Sequence, residues 1–190
     1  MTEASLEDKA LIVDILTRSF DSNQSINYLI PQDSRRQDRV RNLMEYSFEL
    51  CRESGKILLS DDRRACALII LPERRKTTWK SLRLSLFLIT KSIGLFNVLK
   101  AVKREGRIAA RHPKTPYYHL WFIGVAPEHQ GRGSGGQLLR EILEEAGAQR
   151  RPVYLETSTL KNLPWYEKHG FEIFDRLELS YTLYLLRWKG

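Results

Sequence analysis

The chain has 190 residues, of which 42% are hydrophobic and 28% charged. This length fits one domain over residues 1–190 with a substantial core, and the composition excludes a disordered chain. The first residues lack the basic start and apolar run of a signal peptide, and the two cysteines, Cys51 and Cys66, show neither metal spacing nor a disulfide framework. We therefore expect a cytoplasmic protein with two core thiols.

The formal net charge of +8 is concentrated in one segment. Residues 73–114 contain twelve Lys or Arg and two acidic residues, a local charge of +10, so the rest of the chain carries −2. The segment has no recognised nucleic-acid motif and few interleaved aromatic residues, so no nucleic-acid partner is expected.

Apolar periodicity predicts two amphipathic helices near the start of the chain, over residues 6–20 and 34–51. A hairpin follows, with strands over residues 56–60 and 65–71. Pro72 ends the second of these strands.

Residues 79–111 predict a basic, helical insert. Two apolar faces with helical spacing run through it, one formed by Leu82, Leu86, Ile89, Ile93 and Phe96 and the other by Leu84, Leu88, Leu95, Leu99 and Val102. Gly94 and Gly106 are expected to divide it into shorter helices. Because basic residues interrupt the apolar run, we expect no stable membrane insertion. We expect the insert to be buried against the domain as a flap, with a membrane-surface or partner-binding helix as the alternative.

The second half of the chain alternates strands and helices. Strands are predicted over residues 117–125, 153–157, 171–176 and 179–188, and helices over 137–146 and 164–169, the last of them capped by Gly170. The last two strands are expected to form a hairpin, and their pairing across a homodimer is compatible with the sequence.

A turn with four glycines, at positions 131, 133, 135 and 136, precedes the helix over residues 137–146. Unpaired backbone N–H groups and the helix dipole make such a turn a site for phosphate or pyrophosphate. Read as G-x-G-x-x-G, with Glu156 as a ribose-binding acid, it suits a dinucleotide-binding fold. Five residues separate the preceding strand from Gly131, and 34 residues follow Glu156, which argues against that fold.

Read as Q-x-x-G-x-G from Gln130 to Gly135, the same turn resembles the coenzyme A loop of the GNAT superfamily of N-acetyltransferases. Asn162, Tyr166 and the Gly-Phe pair at residues 170–171 are similar to the closing motif of that family. The resemblance implies an α/β (α+β) fold with a central mixed, mostly antiparallel sheet, a splayed parallel strand pair, helices on both faces and the helical insert at about residues 79–111.

The resemblance implies acetyl-CoA as co-substrate and no metal. It assigns coenzyme A binding to Ile123, Gly124, Val125, Gln130, Gly131, Arg132, Gly133, Ser134, Gly135, Gly136 and Asn162. In this assignment Arg132 lies near the anion, and the backbone N–H of Val125 faces the thioester oxygen. The alternative role of Asn162 is to cap the short helix that follows.

The resemblance also assigns the general acid to Tyr166, whose alternative role is packing beside Trp165. His119 is the candidate base, because several family members place a glutamate or histidine six positions before the residue equivalent to Val125. Side chains 119, 121, 123 and 125 are expected to share one strand face. Glu156, Glu128 or a water chain are alternative bases, and His112, in a proline-flanked connection, has no assigned role.

The implied reaction is acetyl transfer to a primary amine by direct attack, with a small-molecule amine as acceptor. A +10 insert above the acceptor site would repel polycations and favour a neutral or anionic acceptor. The alternative class is a catalytically idle, acyl-CoA-binding or regulatory domain.

Overall fold

The computed structural model describes residues 1–190. The strands are β1 Thr2–Glu3, β2 Gly55–Leu59, β3 Ala65–Ile70, β4 Tyr118–Val125, β5 Val153–Thr157, β6 Glu172–Glu178 and β7 Thr182–Trp188. The α-helices are α1 Lys9–Ser19, α2 Gln24–Leu29, α3 Arg36–Ser54, α4 Trp79–Leu88, α5 Val98–Ala109, α6 Ser134–Ala148 and α7 Leu163–Lys168. A π-helical turn, Ile89–Ile93, and a 3-10 turn, Leu95–Asn97, connect α4 with α5.

The seven strands form one sheet in the order β1-β2-β3-β4-β5-β7-β6. Every neighbouring pair is antiparallel except β4 and β5, which are parallel. The predicted hairpins are confirmed as β2–β3 and β6–β7. Because a dinucleotide-binding fold needs a doubly wound parallel sheet, this topology excludes it.

The parallel pair is joined only at its N-terminal end. Tyr118 lies opposite Val153 and His119 opposite Tyr154, and no further residues of the two strands pair. Residues 120–125 therefore have no strand neighbour on the β5 side. This confirms the predicted splay, which leaves a gap between the C-terminal ends of the two strands.

A β-bulge at Trp121 changes which side chains of β4 share a face. The register between β3 and β4 shifts by one residue there, so Trp121 has no residue opposite it. Trp121 and Phe122 both pack into the core beneath α1 and α3, whereas Ile123 and Val125 pack on the opposite side of the sheet. The prediction that residues 119, 121, 123 and 125 share one face is therefore wrong, because alternation holds only along an unbroken strand.

Helices cover both faces of the sheet, as predicted. On one face α1 buries Ile12 and Leu16, four residues apart, in a cluster shared with α3. On the other face α6 buries Leu138 and Ile142 with the same spacing. Both cysteines are free and lie in the cluster beneath α1 and α3, and burial raises the pKa of each thiol.

The predicted insert forms two helices. Gly94, with φ of +73°, separates them, whereas the predicted break at Gly106 is wrong because that residue lies inside α5. No single helix is long and apolar enough to cross a membrane. The segments Trp79–Ile93 and Leu95–Ala109 together have the required length and composition, but they are bent by 106°.

Only one side of each insert helix packs against the domain. The side chains that pack are Leu84, Phe87, Leu88, Ile93 and Ile108. Leu82, Leu86 and Phe96 of the first predicted face and Leu95, Leu99 and Val102 of the second are exposed. The predicted burial is wrong for these six residues, because a helix lying on a domain can present only one stripe to it.

Candidate active site

One large cleft, with a volume of about 1350 Å³, opens along the gap between β4 and β5. The glycine turn forms one end of its wall and the insert the other. The predicted site residues that line it are His119, Ile123, Gly124, Val125, Gln130, Gly131, Gly133, Gly135, Gly136, Asn162 and Tyr166. Arg132 and Ser134 do not line it.

The glycine turn presents a row of free donors. The backbone N–H groups of residues 131–136 bond to no acceptor in the protein, and the first helical bond runs from the Gln137 N–H to the Gly133 carbonyl at 2.9 Å. Gly133 precedes α6 with φ of +98°, a left-handed conformation that favours glycine. A Cβ at Gly131 or Gly133 would meet no protein atom within 4 Å. The turn is therefore open toward the cleft, and it fits a pyrophosphate.

Gly135 fixes the position of the turn relative to the sheet. A Cβ at this residue would lie 2.8 Å from Cγ2 of Val125. The glycine thus lets the N-terminus of α6 pack directly on the end of β4. A larger residue would separate the row of donors from the strand.

Two side chains of the turn bond to other parts of the protein, and a third is exposed. Gln130 donates from Nε2 to the carbonyl of Val125 at 3.3 Å, which ties the turn to β4. The Ser134 hydroxyl donates to Asp62 at 2.6 Å, outside the cleft. Arg132 is exposed and has no carboxylate partner. That Arg132 lies near the anion stays a prediction.

Arg140 and His169 lie beside the glycine turn. Both line the cleft, and both approach Gly136, whose Cβ would lie 3.8 Å from Nη1 of Arg140 and 3.6 Å from Nε2 of His169. Sequence reasoning missed both. The spacing of four residues between Gly136 and Arg140, which puts them on one helix face, is the signal that could have found the arginine.

The strand wall offers backbone groups to a ligand. The Ala126 N–H donates to the Arg64 carbonyl at 2.9 Å. Because bonds to one neighbour alternate along an antiparallel strand, the N–H groups of Ile123 and Val125 face the gap. The Val125 carbonyl is already held by the Ser19 hydroxyl at 2.7 Å. The free backbone group at Val125 is therefore its N–H.

The closing motif places two side chains across the gap from β4. Asn162 immediately precedes α7 but makes no capping hydrogen bond, so the capping alternative is not supported. The ring of Tyr166 is buried between Trp165 and Phe171, with ring centroids 4.8 and 5.6 Å away. Its hydroxyl has no hydrogen-bond partner in the protein. Burial raises the pKa of Tyr166, which keeps the phenol protonated.

A buried cluster of two histidines and one carboxylate lies where the strands diverge. Nε2 of His119 is 2.8 Å from Oε2 of Glu156, and Nε2 of His112 is 2.7 Å from Oε1 of the same carboxylate. Nδ1 of His112 is in turn 2.8 Å from the hydroxyl of Tyr117. Sequence reasoning missed His112, because nothing in a proline-flanked connection indicates what it folds against.

The cluster sets the protonation of its members. Burial by itself lowers the pKa of His119, but the charge of Glu156 and its hydrogen bond to the ring together outweigh burial, so the pKa of His119 is raised. Burial would raise the pKa of Glu156, but the two histidines outweigh it and hold that pKa well below its usual range. Glu156 is therefore a weak base, and His119 is the stronger one.

Glu128, the other acidic residue predicted as an alternative base, does not fit that role. Glu128 pairs with Arg18 on the surface and does not line the cleft, so it is not positioned as a base.

The ligand atoms of His112, His119 and Glu156 lie within 4.8 Å of one another, close enough for a metal ion. Oε2 of Glu156 is hydrogen-bonded to His119, whereas Nε2 of His112 and Oε1 of Glu156 lie 2.7 Å apart without hydrogen-bond geometry.

The insert forms the far end of the cleft with a mostly apolar surface. Its residues there are Leu88, Ile93, Ala101, Arg104, Glu105 and Ile108. Four aromatic side chains extend this surface: Phe20, Tyr46, Trp121 and Phe122. Arg104 is paired with Glu105 at 2.5 Å. Since most basic residues of the segment lie outside the cleft, the expected repulsion of polycations is not supported.

This fold is similar to that of known acetyltransferases. A sequence model of the family described as "Acetyltransferase (GNAT) domain" matches residues 94–173. An uncharacterized N-acetyltransferase of Schizosaccharomyces pombe is 37% identical over 54 residues, which are 28% of this chain and 22% of the relative. The match thus spans about a fifth of that relative's length.

Solved structures resemble the whole chain. The histone acetyltransferase HPA2 and related acetyltransferase of Corynebacterium glutamicum has a TM-score of 0.71 at 21% identity, over 99% of this chain and 93% of that one. The C-terminal condensation domain of Ebony has a TM-score of 0.73 at 11% identity, over 100% and 97%. These likenesses show the fold. With the family match over residues 94–173 and the motifs of the glycine turn and the closing segment, they make the chain similar to GNAT acetyltransferases.

Proposed function

We propose that the chain is an acetyl-CoA-dependent N-acetyltransferase that acts on a small primary amine by direct attack. The observation that carries this proposal is that one cleft joins three features. They are the free N–H groups of residues 131–136, the buried Tyr166 phenol and the His119–Glu156 pair. A phosphate-bearing donor, an acid and a base are then in reach of one another.

The donor end fits coenzyme A. When bound, acetyl-CoA would supply the thioester that reacts. The N–H groups of residues 131–136 would hold its pyrophosphate, and Asn162 would bond to its extended arm. The Val125 N–H would donate to the carbonyl oxygen, on which negative charge develops during attack.

Two side chains of the cleft, His119 and Tyr166, would each transfer one proton. His119 accepts a proton from the amine, and Glu156 stays ionised and stabilises the imidazolium that results. Tyr166 donates its proton to the sulfur that leaves as the new C–N bond forms and the C–S bond breaks. Tyr166 then regains a proton from solvent or from His119, so charge and protons balance.

Direct attack agrees with the positions of the cysteines. Both lie in the core outside the cleft, and burial raises the pKa of both thiols, so neither is available as a nucleophile. The transfer then needs no acyl-enzyme.

The lining of the far end favours an amine with an apolar or aromatic body. Phe20 and Phe122 meet edge to face with ring centroids 5.1 Å apart, and Tyr46 and Trp121 meet similarly at 6.2 Å. Such rings bind flat apolar groups. The ligand of the Ebony domain, beta-alanyl-dopamine, contains an aromatic ring. The substrate class for this chain rests on the lining.

An acceptor screen with acetyl-CoA tests this function. Release of free thiol is measured with phenethylamine, tyramine, ethylamine, spermidine and no acceptor. Acceptor-dependent release that is lost in Tyr166→Phe supports the proposal. Binding of acetyl-CoA without release for any acceptor would instead favour an idle, acyl-CoA-binding domain. Salt-dependent binding of a DNA or RNA duplex would instead support a nucleic-acid-binding function.

A further inference from the structure

Most of the large apolar side chains that this protein exposes lie on the outward side of the insert. Of its nine exposed large apolar side chains, seven lie between residues 79 and 102, and each is at least 50% exposed. They are Trp79, Leu82, Leu86, Leu95, Phe96, Leu99 and Val102. We name this set the insert patch. Concentrations of this kind on a soluble domain mark interaction sites.

The insert patch consists of stripes, not scattered residues. On α4, Trp79, Leu82 and Leu86 follow helical spacing, and they lie opposite Leu84 and Phe87, which pack on the domain. Leu95, in the 3-10 turn, begins a second stripe, which Leu99 and Val102 continue along α5, on the side away from the buried Ile108. Each helix therefore leaves an apolar stripe uncovered.

Basic side chains accompany the exposed stripes. Residues 79–109 contain seven Lys or Arg and one acidic residue, a charge of +6. Arg83, Lys91 and Lys103 are exposed and have no carboxylate partner within 4.0 Å. The neighbouring surface therefore leaves this charge uncompensated.

We propose that the insert patch docks on the surface of an anionic lipid bilayer. Apolar side chains, Trp79 and Phe96 among them, would enter the boundary between headgroups and acyl chains, and the basic side chains would contact anionic headgroups. The 106° bend suits two helices that lie along a surface. This docking needs no membrane-spanning segment.

A second copy of the chain fits the insert patch less well than an anionic bilayer does. A two-fold dimer through the insert patch would place the same basic surface against itself. The remainder of the chain carries only −2, against +10 for residues 73–114, so it offers little compensation. An anionic bilayer supplies negative charge along the whole patch.

Vesicle flotation of the full chain tests the proposal. Vesicles of phosphatidylcholine alone are compared with vesicles containing roughly 30% phosphatidylserine, at about 0.1 M salt. We expect binding that requires phosphatidylserine and weakens as salt is raised. The pair Phe96→Ser with Leu99→Ser should weaken binding at least roughly tenfold. Each of Arg83→Gln and Lys103→Gln should weaken it roughly fivefold.

The matched control is the pair Leu6→Ser with Leu160→Ser, which removes the two exposed leucines outside the insert. It should bind vesicles like the parent chain. The proposal is overturned if the parent binds neither kind of vesicle, or if the control weakens binding as much as the insert variants. It is also overturned if light scattering shows a dimer that Phe96→Ser dissociates while vesicles are not bound. Circular dichroism of each variant confirms that it is folded.

Discussion

His119 and Glu156 meet where the sheet splits. His119 is the last residue of β4 that pairs with β5, Glu156 lies two positions beyond the last paired residue of β5, and their side chains are 2.8 Å apart. The pair thus sits at the apex of the gap, between the donor end of the cleft and its aromatic end. A base at this point has access to both reacting molecules.

The first prediction concerns the pH dependence of the reaction. The charge of Glu156 raises the pKa of His119 above its ordinary value of 6.5, and His119 must be neutral to accept a proton. The kcat/KM value should therefore rise with pH through an apparent pKa above 6.5. In Glu156→Gln the charge is lost, the pKa of His119 falls, and this limb should move to lower pH. The plateau should drop roughly tenfold because the base is weaker.

Glu145→Gln is the control for this experiment. Glu145 is also paired, with Lys56 and Tyr118, but it lies outside the cleft. Its pH profile should match that of the parent chain. An unshifted limb in Glu156→Gln would contradict the assignment of this titration to the His119–Glu156 pair.

Much of the fold follows from periodic patterns in the sequence. The apolar spacing in α1, α3 and α6 predicts those helices, because each is long enough to show a stripe. The six residues of α2 are too few for such a pattern, although Asn23 caps this helix by accepting from the Ile26 N–H at 3.2 Å. The bulge at Trp121 was missed, because it depends on the register of β4 against β3.

Part of the candidate site can likewise be predicted from the local sequence, whereas the rest depends on tertiary packing. The glycines act through their own backbone, so the local sequence reveals the anion end. His112 acts only because the connection after the insert brings it to Glu156, which lies 44 positions further along the chain. Ser19 and His169 likewise reach the cleft from distant elements. Such contacts depend on tertiary packing, and no spacing rule predicts them.

The second prediction separates acid catalysis from packing at Tyr166. Tyr166→Phe should lower kcat roughly 100-fold or more, because the departing sulfur loses its proton donor. The affinity for acetyl-CoA and the melting temperature should hardly change, since the hydroxyl has no partner in the protein. Steady-state kinetics, calorimetry and thermal melts measure these quantities.

Tyr118→Phe is the matched control for that variant. It removes a buried hydroxyl that donates to Glu145 at 2.8 Å, outside the cleft. It should cost about 1 kcal/mol of stability and leave kcat unchanged. An unaltered kcat in Tyr166→Phe would refute the acid assignment and leave this tyrosine a packing role.

The third prediction tests the glycine turn. Gly133→Ala introduces a side chain at φ of +98°, facing the space assigned to the pyrophosphate. The Kd for acetyl-CoA should rise at least roughly tenfold, and stability should fall by about 1 kcal/mol or more. Gly106→Ala is the control, because this glycine lies inside α5 and a Cβ there meets no atom within 4 Å. It should stabilise the chain by up to about 1 kcal/mol and bind acetyl-CoA normally.

The fourth prediction tests the acceptor class through Trp121. The bulge turns this side chain into the aromatic end of the cleft, where it lies beside Tyr46. If the acceptor has an aromatic body, Trp121→Leu should raise the KM for phenethylamine roughly tenfold, because a ring stacking surface is lost. The KM for ethylamine, which is too short to reach that surface, should stay the same. An equal rise for both amines would mean that Trp121 supports the cleft as a whole, and the aromatic acceptor class would then be wrong.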